Sequence, residues 1–113
     1  MYNFSVPSPL KAYLDNVIRI NRTFSFDPST HEFKGLAGNK KALIITPSAG
    51  DFTPGTPLAD MNYCDTYLKS VLGFIGIHDV VVVAAPNQFM ADDAREQSTQ
   101  AARKELVQLA EQW

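Results

Sequence analysis

A chain of 113 residues with ten Lys and Arg against twelve Asp and Glu carries a net charge of -2. That length holds one domain at most, and the near balance of charge excludes non-specific binding to nucleic acid or to an anionic membrane surface. One cysteine, Cys64, allows no intrachain disulfide, and no apolar stretch exceeds the length of Val80–Pro86, so a cytoplasmic chain without a bilayer-spanning segment is expected.

In chain order, Ser8-Pro9 followed by LKAYLDNVIRI predicts a helix capped by Ser8, with Pro9 at its first position and Leu10, Tyr13, Leu14, Val17 and Ile18 at 3.6-residue spacing. The alternating TFSF, the turn signal Asp27-Pro28 and His31–Leu36 predict a short β-hairpin that ends at Gly35 and Gly38. Lys41–Thr46 is a β-branched apolar run of the kind found in parallel strands buried on both faces. The loop TPSAGDFTPGTP follows, then a predicted helix over Leu58–Leu72, with Gly73 and Gly76 as stop signals. VVVVAAP reads as a second buried strand, and Ala91–Trp113 as a long helix with Asp92, Asp93 and Glu96 at its positive end. Ala94, Ala101, Ala102, Leu106, Leu109, Ala110 and Trp113 mark its packing side. The paired bases Lys40-Lys41 and Arg103-Lys104 read as solvated faces.

Strand–helix–strand with apolar strands means a parallel crossover and an α/β fold. Two parallel strands do not close a sheet, and a five-stranded doubly wound domain takes about 150 residues. The expected fold is therefore partial: two parallel strands, three main helices and the hairpin, with the sheet completed by another chain.

The segments MYNFSVPSPLKAYLDNVIR, TFSF, FKGLAGNKKALIIT and LKSVLGFIGIHDV resemble the C-terminal half of the flavodoxin-like FMN-dependent NADH-azoreductases, within the wider NAD(P)H:quinone reductases. The resemblance runs from Met1 into the last helix, so residues 1–113 are expected to be one C-terminal half of such a domain. It rests chiefly on M-Y-N-F-x-x-P-x-x-L-K and on Val71-Leu72-Gly73-Phe74-Ile75-Gly76. It implies FMN as cofactor, NAD(P)H as co-substrate and a quinone or azo acceptor. It further implies that the chain starts inside the loop after a third strand and lacks the serine-containing loop that holds the FMN phosphate. Activity of the chain by itself is thereby put in doubt.

By the same resemblance, Met1, Tyr2, Asn3 and Phe4 face the edge of the flavin ring, the competing reading being a frayed terminus. Ser48 and Gly50 belong to the second flavin-side loop. There Pro47 offers no N–H and Ala49 adds a methyl where family members carry glycine, so a tight turn with no ligand is the alternative. Phe24 and Phe74 correspond to aromatics lining the acceptor pocket at a dimer interface, with core packing as the alternative for Phe74. No catalytic side chain is assigned, because the flavin carries the hydride chemistry. His31 and His78 have no metal-ligand spacing, and Cys64 on the apolar stripe reads as a buried thiol.

Two assemblies are expected as alternatives. In one, two copies pair their Lys41–Thr46 strands antiparallel about a two-fold axis, giving a non-catalytic four-stranded module. In the other, a separate N-terminal half supplies the phosphate loop in trans.

Overall fold

The computed structural model describes residues 1–113. The elements are α1 (Ser8–Val17), β1 (Phe24–Asp27), β2 (Glu32–Gly35), β3 (Lys41–Pro47), α2 (Asp65–Phe74), β4 (Asp79–Ala85) and α3 (Asp92–Gln112), with a single 3-10 turn at Ala59–Met61. β1 and β2 form the antiparallel hairpin, and β3 and β4 a parallel pair in the register Leu43 to Val81 and Ile45 to Val83. The α/β order expected from the sequence is therefore present. No helix is long and apolar enough to cross a membrane.

Three local expectations are corrected. The first turn of α1 closes on the Pro7 carbonyl, which accepts from Lys11 N–H at 3.1 Å. Pro7, held extended at φ -67°, is thus the N-cap, and Ser8 makes no side-chain cap. The second helix begins at Asp65 rather than Leu58. The Asn62 side chain accepts from Cys64 N–H at 3.2 Å and Asp65 N–H at 3.0 Å, starting the helix there. The third concerns β3, which is not buried on both faces. Ala42, Ile44 and Thr46 turn inward, whereas Lys41, Leu43, Ile45 and Pro47 are exposed.

The physical reason lies in what covers each face. On one side α1 and α2 meet in a cluster of Leu14, Cys64 and Leu68, against which Ile44 packs. On the other side α3 packs on β4, where Val83 is fully buried, but leaves Leu43 38 % and Ile45 54 % exposed. Of the packing residues expected on α3, only Ala102 is buried. The outer edge of β3 has no strand partner in the chain. A radius of gyration of 16.3 Å exceeds the roughly 13 Å of a compact domain this long.

The hairpin is locked beneath α2 by glycines. Ala37 N–H donates to the Ile75 carbonyl at 2.8 Å. A Cβ on Gly35 would lie 2.3 Å from the Gly76 nitrogen, and Gly76 has φ +103°, a left-handed backbone that side chains resist. The hairpin thus sits at the N-terminal end of β3 and β4.

Candidate functional site

At the opposite end, where β3 and β4 terminate, three loops meet. The first is the turn Tyr2–Ser5, closed by Tyr2 N–H to Ser5 O at 2.9 Å and Ser5 N–H to Tyr2 O at 3.0 Å. Asn3 and Phe4 sit at its centre with φ +46° and +69°, a conformation asparagine tolerates better than phenylalanine. The turn is tied down. The Met1 amino group donates to Pro47 O at 2.9 Å, and Tyr63 N–H donates to Phe4 O at 2.9 Å. The Phe4 ring meets Phe52 edge-on at 5.8 Å. The segment is anchored rather than frayed, and Asn3, with its N–H and side-chain amide uncommitted, is exposed.

The second loop follows β3. Ser48 is buried, and its hydroxyl donates to Gly50 O at 2.8 Å. The third loop clamps onto it: Asn87 N–H reaches Gly50 O at 3.2 Å, Gln88 N–H reaches Ser48 O at 2.9 Å, and Phe89 N–H reaches Ala49 O at 3.2 Å. The Ser48 hydroxyl therefore shapes the loop from within. The N–H groups of Ala49, Gly50, Asp51 and Phe52 donate to no backbone group of the chain.

A half-buried relay supports this rim. Thr46 Oγ1 donates to Asp65 Oδ1 at 2.7 Å, while Asn62 Nδ2 donates to Asp65 Oδ2 at 2.8 Å and to Phe52 O at 3.3 Å. Asn62 and Asp65 thus fix the loop that carries Phe52. Neither was legible in the sequence, because polar residues three apart before a helix resemble any helix start. Beneath, burial pushes the Cys64 thiol above its ordinary range. A groove of about 1100 Å³ borders the rim between Tyr2, Asn3, Pro7 and Tyr67. At its foot Lys11 pairs with Asp15 at 2.7 Å, a hydrogen bond that raises the amine's pKa.

Phe24 and Phe74 meet at 4.8 Å between ring centroids, but at the hairpin end. They are joined there by two aromatics the sequence reading missed. Phe33 lies 5.5 Å from Phe74, and Phe26 lies 4.8 Å from Phe33. The available signal was the period-two alternation that puts Phe24, Phe26 and Phe33 on one face of the hairpin. Phe74 is 38 % exposed, so it is not core. The seven residues of β3 separate the two ends, about 20 Å at ~3.3 Å per residue. One chain does not bring the aromatic pair to the Met1–Phe4 loop.

Residues 1–110 match a family described as having a flavodoxin-like fold. The chain belongs to that family. Among its curated flavodoxin-like relatives, an FMN-dependent NADH:quinone oxidoreductase 2 of Trichormus variabilis is 43 % identical over 114 residues, covering 100 % of this chain and 54 % of the relative. An FMN-dependent NAD(P)H:quinone oxidoreductase 1 of Pseudomonas aeruginosa is 42 % identical over 113 residues, covering 97 % and 53 %. The crystal structure of an FMN-dependent NADH-azoreductase from Bacillus anthracis in complex with FMN superposes with a TM-score of 0.80 at 28 % identity, covering 97 % of this chain and 52 % of that one. The chain spans about half the length of the curated relatives it matches.

Which part of FMN these residues suit follows from their chemistry. Uncommitted N–H groups on a rim at the C-terminal end of parallel strands match the polar edge of a planar ring. A dianionic phosphate is a poorer fit. The positive ends of α2 and α3, the usual anion seats, carry Asp65, and Asp92 with Asp93, in their first turns.

Proposed function

We propose that residues 1–113 form the C-terminal half of a flavodoxin-like domain and serve an FMN-dependent NAD(P)H oxidoreductase acting on quinone or azo acceptors. This chain holds the flavin ring, and another polypeptide supplies the phosphate seat. The observation that carries the reading is the anchored Met1–Phe4 turn, with Asn3 uncommitted, lying against the loop after β3. The activities for which the relatives above are named support it.

Bound FMN supplies the two-electron chemistry that moves hydride from NAD(P)H to the acceptor. The chain's own residues position and enclose. Asn3 and the Phe4 N–H hold one edge of the ring, from a turn that Met1 and Tyr2 fasten. The free N–H of Gly50 addresses the adjacent edge from a loop that Ser48 stiffens. Phe24 and Phe74 of a second copy, brought over the rim, stack on the acceptor and keep water from it. A cytoplasmic location goes with the one free, buried Cys64.

The test is a titration of FMN followed by flavin fluorescence. Saturable quenching at concentrations on the order of tens of micromolar is expected, weakened several-fold by Asn3→Ala. NADH-dependent quinone reduction is expected when the N-terminal half of a relative is co-produced. Absence of both effects sinks the reading.

A second reading is favoured by the bare β3 edge and by exposed Leu43 and Ile45. In it the chain is a non-catalytic module whose copies pair Lys41–Thr46 antiparallel into a four-stranded sheet. Sedimentation separates the two. A flavin-free homodimer whose association is abolished by Ile45→Lys supports the module, whereas flavin retention only with an N-terminal half supports the enzyme.

A further inference from the structure

The loops of the rim carry no basic side chain. Residues 1–10, 42–68 and 79–94, which hold the Tyr2–Ser5 turn and the loops after β3 and β4, contain no Lys, Arg or His. Two of the bases that flank these stretches are neutralised, Lys11 by Asp15 at 2.7 Å and Arg95 by Asp92 at 2.9 Å. Lys69 stands farther along α2. The Met1 amine, bound to Pro47 O, lies close enough to the Cys64 thiol to act on it, while the Met1 side chain packs on the Leu14–Cys64–Leu68 cluster.

One acid is set among the free N–H groups of the rim. Asp51 follows Gly50 directly, and the N–H groups of Gly50, Asp51 and Phe52 donate to no backbone group. Thr53 grips the Asp51 Oδ1 atom through its N–H at 3.0 Å and its hydroxyl at 2.6 Å. The Thr56 hydroxyl donates to Asp51 O at 3.1 Å and to Thr53 O at 2.7 Å, closing the loop behind it. The half-buried carboxylate is thus fixed in place, and no base of the chain pairs with it.

A charge held beside a flavin ring changes how readily the ring accepts electrons. Hydride from NADH brings two electrons and one proton, which leaves the reduced ring negative along its polar edge until a second proton arrives from solvent. A fixed carboxylate at that edge repels the added charge, and it does so more strongly where water is excluded. No side-chain cation on the rim offsets it.

We infer that Asp51 sets the reduction potential of bound FMN, holding it below that of free FMN. The chain then grips oxidised FMN more tightly than reduced FMN, which favours passing hydride on to acceptors of low potential. The inference deepens the flavin reading above and rests on it. It gives the loop after β3 an electrostatic role besides the hydrogen-bonding one.

The experiment is a spectroelectrochemical titration of the chain saturated with FMN, beside free FMN at the same pH. Oxidised FMN is expected to bind about tenfold more tightly than reduced FMN, which for a two-electron couple places the bound potential about 30 mV below the free one. Asp51→Asn keeps an oxygen for Thr53 to bond and removes only the charge. It should erase most of that tenfold preference, whereas Asp51→Glu, which keeps the charge, should retain it. Melting temperatures of both variants show whether the loop has survived, and a merely structural role would leave the potential of the folded Asp51→Asn chain where it was. Bound FMN at or above the free potential, or a folded Asp51→Asn chain with the parent's potential, overturns the inference and leaves the flavin reading standing. A chain that does not bind FMN at all sinks both.

Discussion

The two ends of the β3–β4 pair are built by different means. At the C-terminal end, three loops are laced together by backbone hydrogen bonds and by the Thr46–Asp65–Asn62 relay, leaving a rim of uncommitted N–H groups. At the N-terminal end, order comes from close packing: a glycine-on-glycine seam and four phenylalanine rings in contact. A backbone-built rim tolerates side-chain change, which is why Pro47 and Ala49 can stand in it. A packed seam tolerates almost none. The difference suits the roles proposed above, with a hydrogen-bonding edge for a polar ring at one end and a stacking surface at the other.

The contrast is broken most severely at the seam. Gly35→Ala forces a methyl into the Gly76 backbone and is expected to cost about 3 kcal/mol, the upper part of the range for overpacking. Hydrogen exchange should show hairpin amides losing protection before those of α3, whereas uniform loss would merge the two ends into one unit. Next is Asp65→Ala at the rim. It removes the acceptor of the buried Thr46 hydroxyl and frees Asn62, costing about 2 kcal/mol. Denaturant midpoints should fall and flavin binding weaken.

Phe74→Ala is expected to be milder for stability. It removes ring contacts to Phe24 and Phe33, together worth about 1–1.5 kcal/mol beyond area. Acceptor binding should drop and flavin binding should not. The smallest effect is that of Asp27→Asn. The Ser29 hydroxyl, then its backbone N–H, hold the Asp27 carboxylate below its usual range. A lowered pKa contributes stability present above the ordinary carboxylate value and lost as pH falls through the lowered one. NMR of the hairpin from pH 5 to 2 should show a transition in the parent that the variant lacks.

Much of the packed end was legible from side chains alone. TFSF, Asp27-Pro28 and the following strand gave the hairpin within a residue or two, because alternation and turn chemistry are local. Lys41–Thr46 and VVVVAAP gave the parallel pair by their β-branched content. What failed depended on neighbours far along the chain. β3 was expected to be covered on both faces, and its apolar content fits that, but α3 covers β4 rather than Leu43 and Ile45. The start of α2 moved from Leu58 to Asp65 because one asparagine, tied to Phe52 O across the loop, captured the helix's first amides. The rim could be found only through resemblance, since backbone N–H groups leave no mark on the sequence. That Phe24 and Phe74 lie a strand's length from Met1–Phe4 was likewise beyond any linear pattern.

The oxidoreductase proposed above needs the Phe24–Phe74 pair of one polypeptide over the Met1–Phe4 rim of another, because a single chain keeps them a strand's length apart. The most direct test is sedimentation of the chain, supplied with FMN and an N-terminal half of a relative, across the concentrations over which NADH-dependent quinone reduction appears. Reduction confined to samples where associated species are present is the expected result. Reduction by a solitary chain, at concentrations where only the monomer sediments, would contradict it.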